Sequence, residues 1–432
     1  MSEQDINEAR RLLREGRNGD ARARLEKVLA ENASDPAAVR MLAQLAYADR
    51  DFVLARDLLQ KLVAANPRRG VYHFELALVY QELNQLEAAL AELEAAEAAD
   101  PGVPAVLVQK GVVLERLGRR YDAAMTFHRL WVKVLQGGQR VDQLAPALQK
   151  LVAHGGHLVR AEMKSLLDAA LAEVRRQFGG ADLSRLEHLV GITLGEASAP
   201  PRPPMKHSSG IHFPGLPEMP FHDRARFPWL EEVEAQAARI RDEYLALEED
   251  ASIFRPYVSV DAQSPSAKHW QTVNNSTDWN SCHLYRYGEL QEKAASRCPV
   301  TMETIEKTPL SRVKGHGPES IFSVLKPKTH IPPHHGLVGG RLLVHLPLIV
   351  PENCGALRVG NEQHAWEFGR CLVFDDTYRH EAWNNSNETR VVLIFDVWHP
   401  DLSDAERYGF AELLRILDQI NVDSLGERML RQ

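Results

Sequence analysis

The hydrophobic pattern of this chain changes its period along its length. Up to about residue 133, apolar positions recur every three to four residues, as at Ala88, Ala89, Leu90 and Leu93. That is the spacing of helices with one buried face. Towards the C-terminus the apolar runs become short, each bounded by Gly, Pro, Asn or Asp: 321–325, 341–350, 357–359, 371–374 and 390–397. Such runs predict strands, and several strands with loops between them predict a double-sheet jelly roll or cupin-like barrel. One amphipathic helix, with Trp229, Val233, Ala237, Ile240, Tyr244 and Leu247 at spacings of three and four, is expected before the strands. The chain therefore reads as a multi-domain α and β protein, a helical repeat array followed by a jelly-roll or cupin-like β domain.

The helical part has a longer period as well. Phe52, Leu86 and Tyr121 lie 34 and 35 residues apart, each followed three residues later by alanine (Ala55, Ala89, Ala124). Asp35-Pro36, Asn66-Pro67 and Asp100-Pro101 punctuate the array, since proline opens one helix and stops the one before it. This resembles tetratricopeptide repeats, about three of them. The best-matching unit runs from Gly111 to Ala124, and the earlier units lack its glycine pattern. The array reads equally well as a concave surface for a peptide or partner, or as a helical spacer or oligomerisation element. Residues 134–195 look helical without the period and are expected to cap it. Ala199-Pro200-Pro201-Arg202-Pro203-Pro204 then breaks any helix. The expected organisation is a repeat domain over 1–198, a proline-rich linker over 199–211 and a β-rich domain over 212–432. A chain beginning near His212 is expected to fold alone.

Composition narrows the partners. Charged residues make up 25% and the formal net charge is -8 with both signs interspersed. That argues against nucleic acid, which selects a basic face. No apolar run approaches the roughly 18 residues of a membrane span. The N-terminus, Met1-Ser2-Glu3-Gln4-Asp5, lacks the basic and apolar regions of a secretory signal. Cys282, Cys298, Cys354 and Cys371 show no CxxC spacing and read as free thiols in a reducing cytoplasm.

The candidate chemistry lies among the strands. His334 stands in Pro333-His334-His335-Gly336 and His380 in Phe374-Asp375-Asp376-Thr377-Tyr378-Arg379-His380-Glu381. Two histidines are the nucleus of a mononuclear metal site, but glycine occupies the place of the usual carboxylate. On spacing alone they could equally be surface or core residues. In Arg341-Leu342-Leu343-Val344-His345-Leu346, alternation puts Arg341, Leu343 and His345 on one face, and an inward arginine and histidine call for an anion. Arg390 opens another core strand and could grip a planar acid, or pair internally with Asp375, Asp376 or Asp396. Asp375 and Asp376 could orient a histidine ring or cap a turn. His330, His335, His364 and His399 are not expected at the site.

These motifs, with Asp396-Val397-Trp398-His399-Pro400, resemble the aspartyl/asparaginyl β-hydroxylase family over about residues 213–403. The resemblance implies an Fe(II)- and 2-oxoglutarate-dependent dioxygenase on a double-stranded β-helix, using O2, with ascorbate as a supporting reductant. It implies His334 and His380 as iron ligands in a family that lacks the carboxylate ligand, so that Gly336 matches it. Arg390 would bind the distal carboxylate of 2-oxoglutarate beside the Ser323 hydroxyl, His345 would contact the cosubstrate, and Arg341 would meet an acidic substrate group. Leu343 departs from the pattern, which carries a second arginine there in the animal enzymes. The implied substrate is an aspartyl or asparaginyl residue of a peptide or protein, or a related amino-acid-like molecule. The alternative is a non-catalytic repeat scaffold whose barrel senses a ligand. A zinc or manganese cupin isomerase would be expected to show three histidines and a glutamate.

Overall fold

The computed structural model describes residues 2–136, 146–207, 210–264 and 266–425. They form two compact units, one of residues up to Ser165 joined by Asp423 and Ser424, the other of Leu166–Val422.

The first unit is built of helix pairs: α1 (Ser2–Arg14) with α2 (Asn18–Glu31), α3 (Pro36–Ala48) with α4 (Phe52–Ala65), α5 (Gly70–Glu82) with α6 (Leu86–Ala99), and α7 (Pro104–Arg116) with α8 (Arg120–Gln136). Four pairs stand where the alanine period suggested about three, because Ala21 occupies the position of Ala55, Ala89 and Ala124. All four alanines are completely buried. The turn inside each pair is stricter still. Gly16, Arg50, Asn84 and Gly118 follow one another at intervals of 34 residues, and all have positive φ (75°, 63°, 56° and 75°). The next N–H in each case bonds five residues back, Arg17 to Leu12, Asp51 to Ala46, Gln85 to Tyr80 and Arg119 to Leu114, at 2.8–2.9 Å. This left-handed cap closes the helix C-terminus whatever residue occupies it. The repeat is thus kept in backbone conformation where the glycine signature is lost.

Two more helices, α9 (Pro146–Gln177) and α10 (Ser184–Leu194), come before the proline-rich stretch. From Leu166 onward they belong to the second unit, where Val174 and Leu186 crowd Gly409 of α15 (Asp404–Leu425). Arg185 holds the nearly buried Glu406 at 2.7 Å. The stretch read as a linker is also tied down. Arg379 N–H donates to the Met205 carbonyl (2.7 Å), His207 N–H to Thr377 (2.9 Å), and Ile211 N–H to Leu337 (2.8 Å). Lys206 bridges Asp375 (2.9 Å) and Glu218. The compact β unit therefore begins before the prolines, because the apolar face of residues 166–194 is needed to cover α15.

Eleven strands among the described residues make two antiparallel sheets. β1 (Arg255–Pro256), β2 (Trp279–Arg286), β3 (Glu289–Leu290), β4 (Ser320–Leu325), β6 (Arg341–Ile349), β9 (Leu372–Phe374) and β11 (Arg390–Trp398) form the larger, in the order β1-β2-β4-β11-β6-β9 with β3 paired to β2. β5 (Thr329–His334), β7 (Ala356–Val359), β8 (Glu362–Ala365) and β10 (His380–Asn384) form the smaller, in the order β5-β10-β7-β8. This is the double-sheet arrangement that the strand pattern anticipated. One face of the large sheet, with Leu342, Val344, Phe322, Leu393 and Phe395, packs on α11 (Leu230–Ala235) and α12 (Ala237–Glu248). These are two helices where one was expected, parted at Gln236 without a Gly or Pro to mark the break. The other face, with Trp279, Leu325, Phe374 and Val392, meets Ile331, Leu357 and Ala382 of the small sheet. β5 is not among the expected strands; it contains Pro332 and Pro333, which an edge strand tolerates. All four cysteines are buried free thiols.

Two outcomes are expected. Arg50→Gly relieves a left-handed non-glycine residue, stabilising the array by about 1 kcal/mol. Its unfolding midpoint should rise by roughly 2–4 °C in circular dichroism, and an unchanged or lower midpoint contradicts the turn assignment. A chain beginning at Leu166 should be soluble and melt cooperatively, whereas one beginning at His212 should aggregate. Equal behaviour of the two would show that α10 and the Met205–Ile211 ribbon contribute nothing to the β unit.

Candidate active site

His334 ends β5 and His380 begins β10, and the antiparallel register makes them direct partners. Their rings lie 4.0 Å apart between centroids. Each ring is oriented in the same way: Nδ1 lies 2.9 Å from the carbonyl oxygen two residues earlier, Pro332 for His334 and Tyr378 for His380. A carbonyl only accepts, so each Nδ1 carries the proton and each Nε2 keeps its lone pair. Burial holds His334 well below the usual imidazole range and brings His380 down to about 4, so both rings are neutral at pH 7. Two neutral, pre-oriented imidazoles fit a divalent transition metal.

A third side-chain ligand is absent: no cluster of three or more His, Cys, Asp or Glu able to hold a metal occurs among the described residues. The structure explains the glycine at position 336. A Cβ there would lie 2.2 Å from Asp376 Oδ2, so the Asp376 carboxyl fills the space a ligand side chain would need. Gly336 N–H also donates to the Asp376 carbonyl at 2.7 Å. Asp376 does not orient a histidine ring. Asp375 takes the capping role, accepting from Thr377 N–H (3.0 Å) and hydroxyl (2.6 Å).

Arg390 points between the sheets and is 1% exposed. Its Nη1 donates to the Ser323 carbonyl (3.2 Å) and Oγ (3.4 Å), its carbon lies 4.7 Å above the Trp366 ring, and its Nε has no partner. No carboxylate among the described residues pairs with it, and burial pulls its pKa down to about 10. An unpaired buried guanidinium is costly and marks a place prepared for an anion. Ser323 lies on β4, opposite Val392 of Arg390's strand, and its hydroxyl accepts Trp279 Nε1–H at 3.3 Å. His345 is buried with Nδ1 unpartnered. Burial, then Arg390 and His380, hold it well below the usual imidazole range. Phe374 packs edge-on against both His345 (4.9 Å) and His380 (5.6 Å).

The internal ion pair considered for Arg390 belongs instead to Arg341. Its Nη1 is 2.7 Å from Asp396 Oδ2, and its Nη2 is 3.8 Å from Asp376. Leu343 lies on the same face, across from Asp396 and Phe374. The other histidines have different partners: His330 pairs with Glu381 (2.8 Å), His335 with the Thr377 carbonyl (3.2 Å), His364 with Phe221 and His399 with His222. Sequence reasoning missed Trp270 and Trp279, whose rings lie 5.2 and 6.0 Å from His334, and Trp366 under Arg390. Each lies in a segment whose local pattern carries no chemical signal.

Comparison with known proteins places this site in context. Residues 234–400 match the aspartyl/asparaginyl beta-hydroxylase family, and residues 6–69 and 74–133 match tetratricopeptide repeats. The chain is 34% identical over 209 residues to an ornithine lipid ester-linked acyl 2-hydroxylase of Rhizobium tropici, covering 47% of this chain and 69% of that protein. It is 34% identical over 137 residues to the human aspartyl/asparaginyl beta-hydroxylase, covering 32% of this chain and 18% of that protein. Among solved structures, MamA superposes on 32% of the chain with a TM-score of 0.31 and 21% identity. The match over more than two thirds of the Rhizobium protein, and the fall of the family's own match on the strands that carry the histidine pair, establish that this chain belongs to the aspartyl/asparaginyl β-hydroxylase family of hydroxylases.

Proposed function

We propose that the β unit is an Fe(II)- and 2-oxoglutarate-dependent dioxygenase that hydroxylates a peptide residue or an amino-acid-like molecule. The observation that carries this reading is Arg390, a buried guanidinium with no carboxylate of its own on the same sheet face as His345. A dicarboxylate supplies what is missing. Its distal carboxylate would accept from Arg390 and Ser323, while Trp366 holds the guanidinium plane from below. His345, neutral and with a free ring nitrogen, would bond the cosubstrate nearer the histidine pair. His334 and His380 would hold the iron, which when bound supplies the oxygen chemistry. Trp270, Trp279 and Phe374 wall the histidines and exclude water.

The tetratricopeptide repeats would present a protein partner, in keeping with their use elsewhere as stacked binding surfaces. A cytoplasmic setting goes with four unpaired thiols.

Arg390→Lys keeps the charge and loses the fork, so KM for 2-oxoglutarate should rise about ten-fold or more, equivalent to about 1.4 kcal/mol. Ser323→Ala should do less. An unchanged KM in Arg390→Lys would sink the clamp. His334→Ala and His380→Ala should each abolish Fe(II) binding and succinate release with the far-ultraviolet circular dichroism spectrum intact. Turnover at the level of the unaltered protein in either one would remove the metal assignment.

A further inference from the structure

The two ends of the inner sheet face differ in charge. Along β11, Arg390 and Asp396 share that face six residues apart, roughly 20 Å at strand spacing. At the Arg390 end stands one cation without a carboxylate. At the other, three carboxylates surround Arg341. Asp396 takes Arg341 at 2.7 Å on one oxygen and Glu319 N–H at 2.9 Å on the other. Glu319 accepts Tyr287 N–H with one oxygen and lies 3.5 Å from His283 Nδ1 with the other. Asp376 lies 3.8 Å from Arg341 through Oδ2, while its Oδ1 has no hydrogen-bond partner, although the residue is only 5% exposed. Three carboxyl groups thus gather around one arginine.

One further feature points the same way. Leu343, opposite Asp396, adds bulk but no positive charge. An incoming carboxylate would meet Asp376 and Glu319 with Arg341 already engaged. An ammonium or guanidinium would satisfy the free oxygen of Asp376.

We infer that the substrate carries a cation, a primary ammonium or a guanidinium, received by Asp376 and Glu319. This rests on the dioxygenase reading, which puts the cosubstrate at the Arg390 end and leaves the Arg341 end for the substrate.

The test uses the metal-free full chain and three neutral-backbone probes, the Nα-acetyl amides of lysine, norleucine and aspartate, titrated by ligand-observed NMR. The lysine probe should bind about ten-fold tighter than the norleucine probe, and the aspartate probe should bind weakest. Glu319→Gln keeps a carbonyl for Tyr287 N–H and should lose most of that preference. Leu343→Arg should reverse it in favour of aspartate. Equal binding of the three probes, tighter aspartate binding or no binding at all overturns the inference. Titration of 2-oxoglutarate in the same samples separates the two readings. A chain that prefers lysine but takes up no 2-oxoglutarate refutes the cosubstrate assignment, and the opposite result refutes only the cationic substrate.

Discussion

The pairing of β10 with β5 is the constraint on which the site depends. β10 runs between β5 and β7, and His380 stands opposite His334 on one side and Val359 on the other. A one-residue slip would turn every side chain of β10 to the opposite face and part the two imidazoles. The register is held from both flanks, and by Asn384, whose side-chain amide reaches the carbonyls of Leu325, Lys326 and Glu388. The geometry of the histidine pair is therefore a property of the small sheet, with little contribution from long flexible side chains.

Around that pair, each polar group is resolved in a different way. The histidines are oriented by backbone carbonyls, so no carboxylate is spent on them. Asp375 serves its own turn and Lys206, Asp376 fills the gap left by Gly336, and Arg341 is neutralised by Asp396. Among the described residues around the pair, Arg390 is left without a counter-charge. In an interior where an isolated charge is costly, that one vacancy of charge is more informative than any of the satisfied pairs.

The helical array shows the same relation between residue and conformation. Gly16, Arg50, Asn84 and Gly118 differ chemically yet perform one turn, because the i to i-5 bond and the packing of buried alanines demand it. The preference of glycine for positive φ is a matter of about 1 kcal/mol, small beside the burial of a helix face, so drift at this position is tolerated.

Much of this protein is legible in its sequence because it depends on local periodicity. The alternation of Arg341, Leu343 and His345 put them on one face, the 34-residue spacing announced paired helices, and the motifs around His334, His380 and Arg390 marked the residues that meet. Three decisions needed the tertiary structure. Which arginine is paired follows from cross-strand neighbours: Asp396 lies within reach of Arg341, while Arg390 six residues away on the same strand meets only Ser323 and Trp366. Where the β unit begins follows from burial against α15, which a proline-rich stretch cannot report. Why glycine stands at 336 follows from a carboxyl forty residues later in the chain that occupies its side-chain space. Sequence patterns report how each element faces; which charges meet is set by contacts between elements distant along the chain.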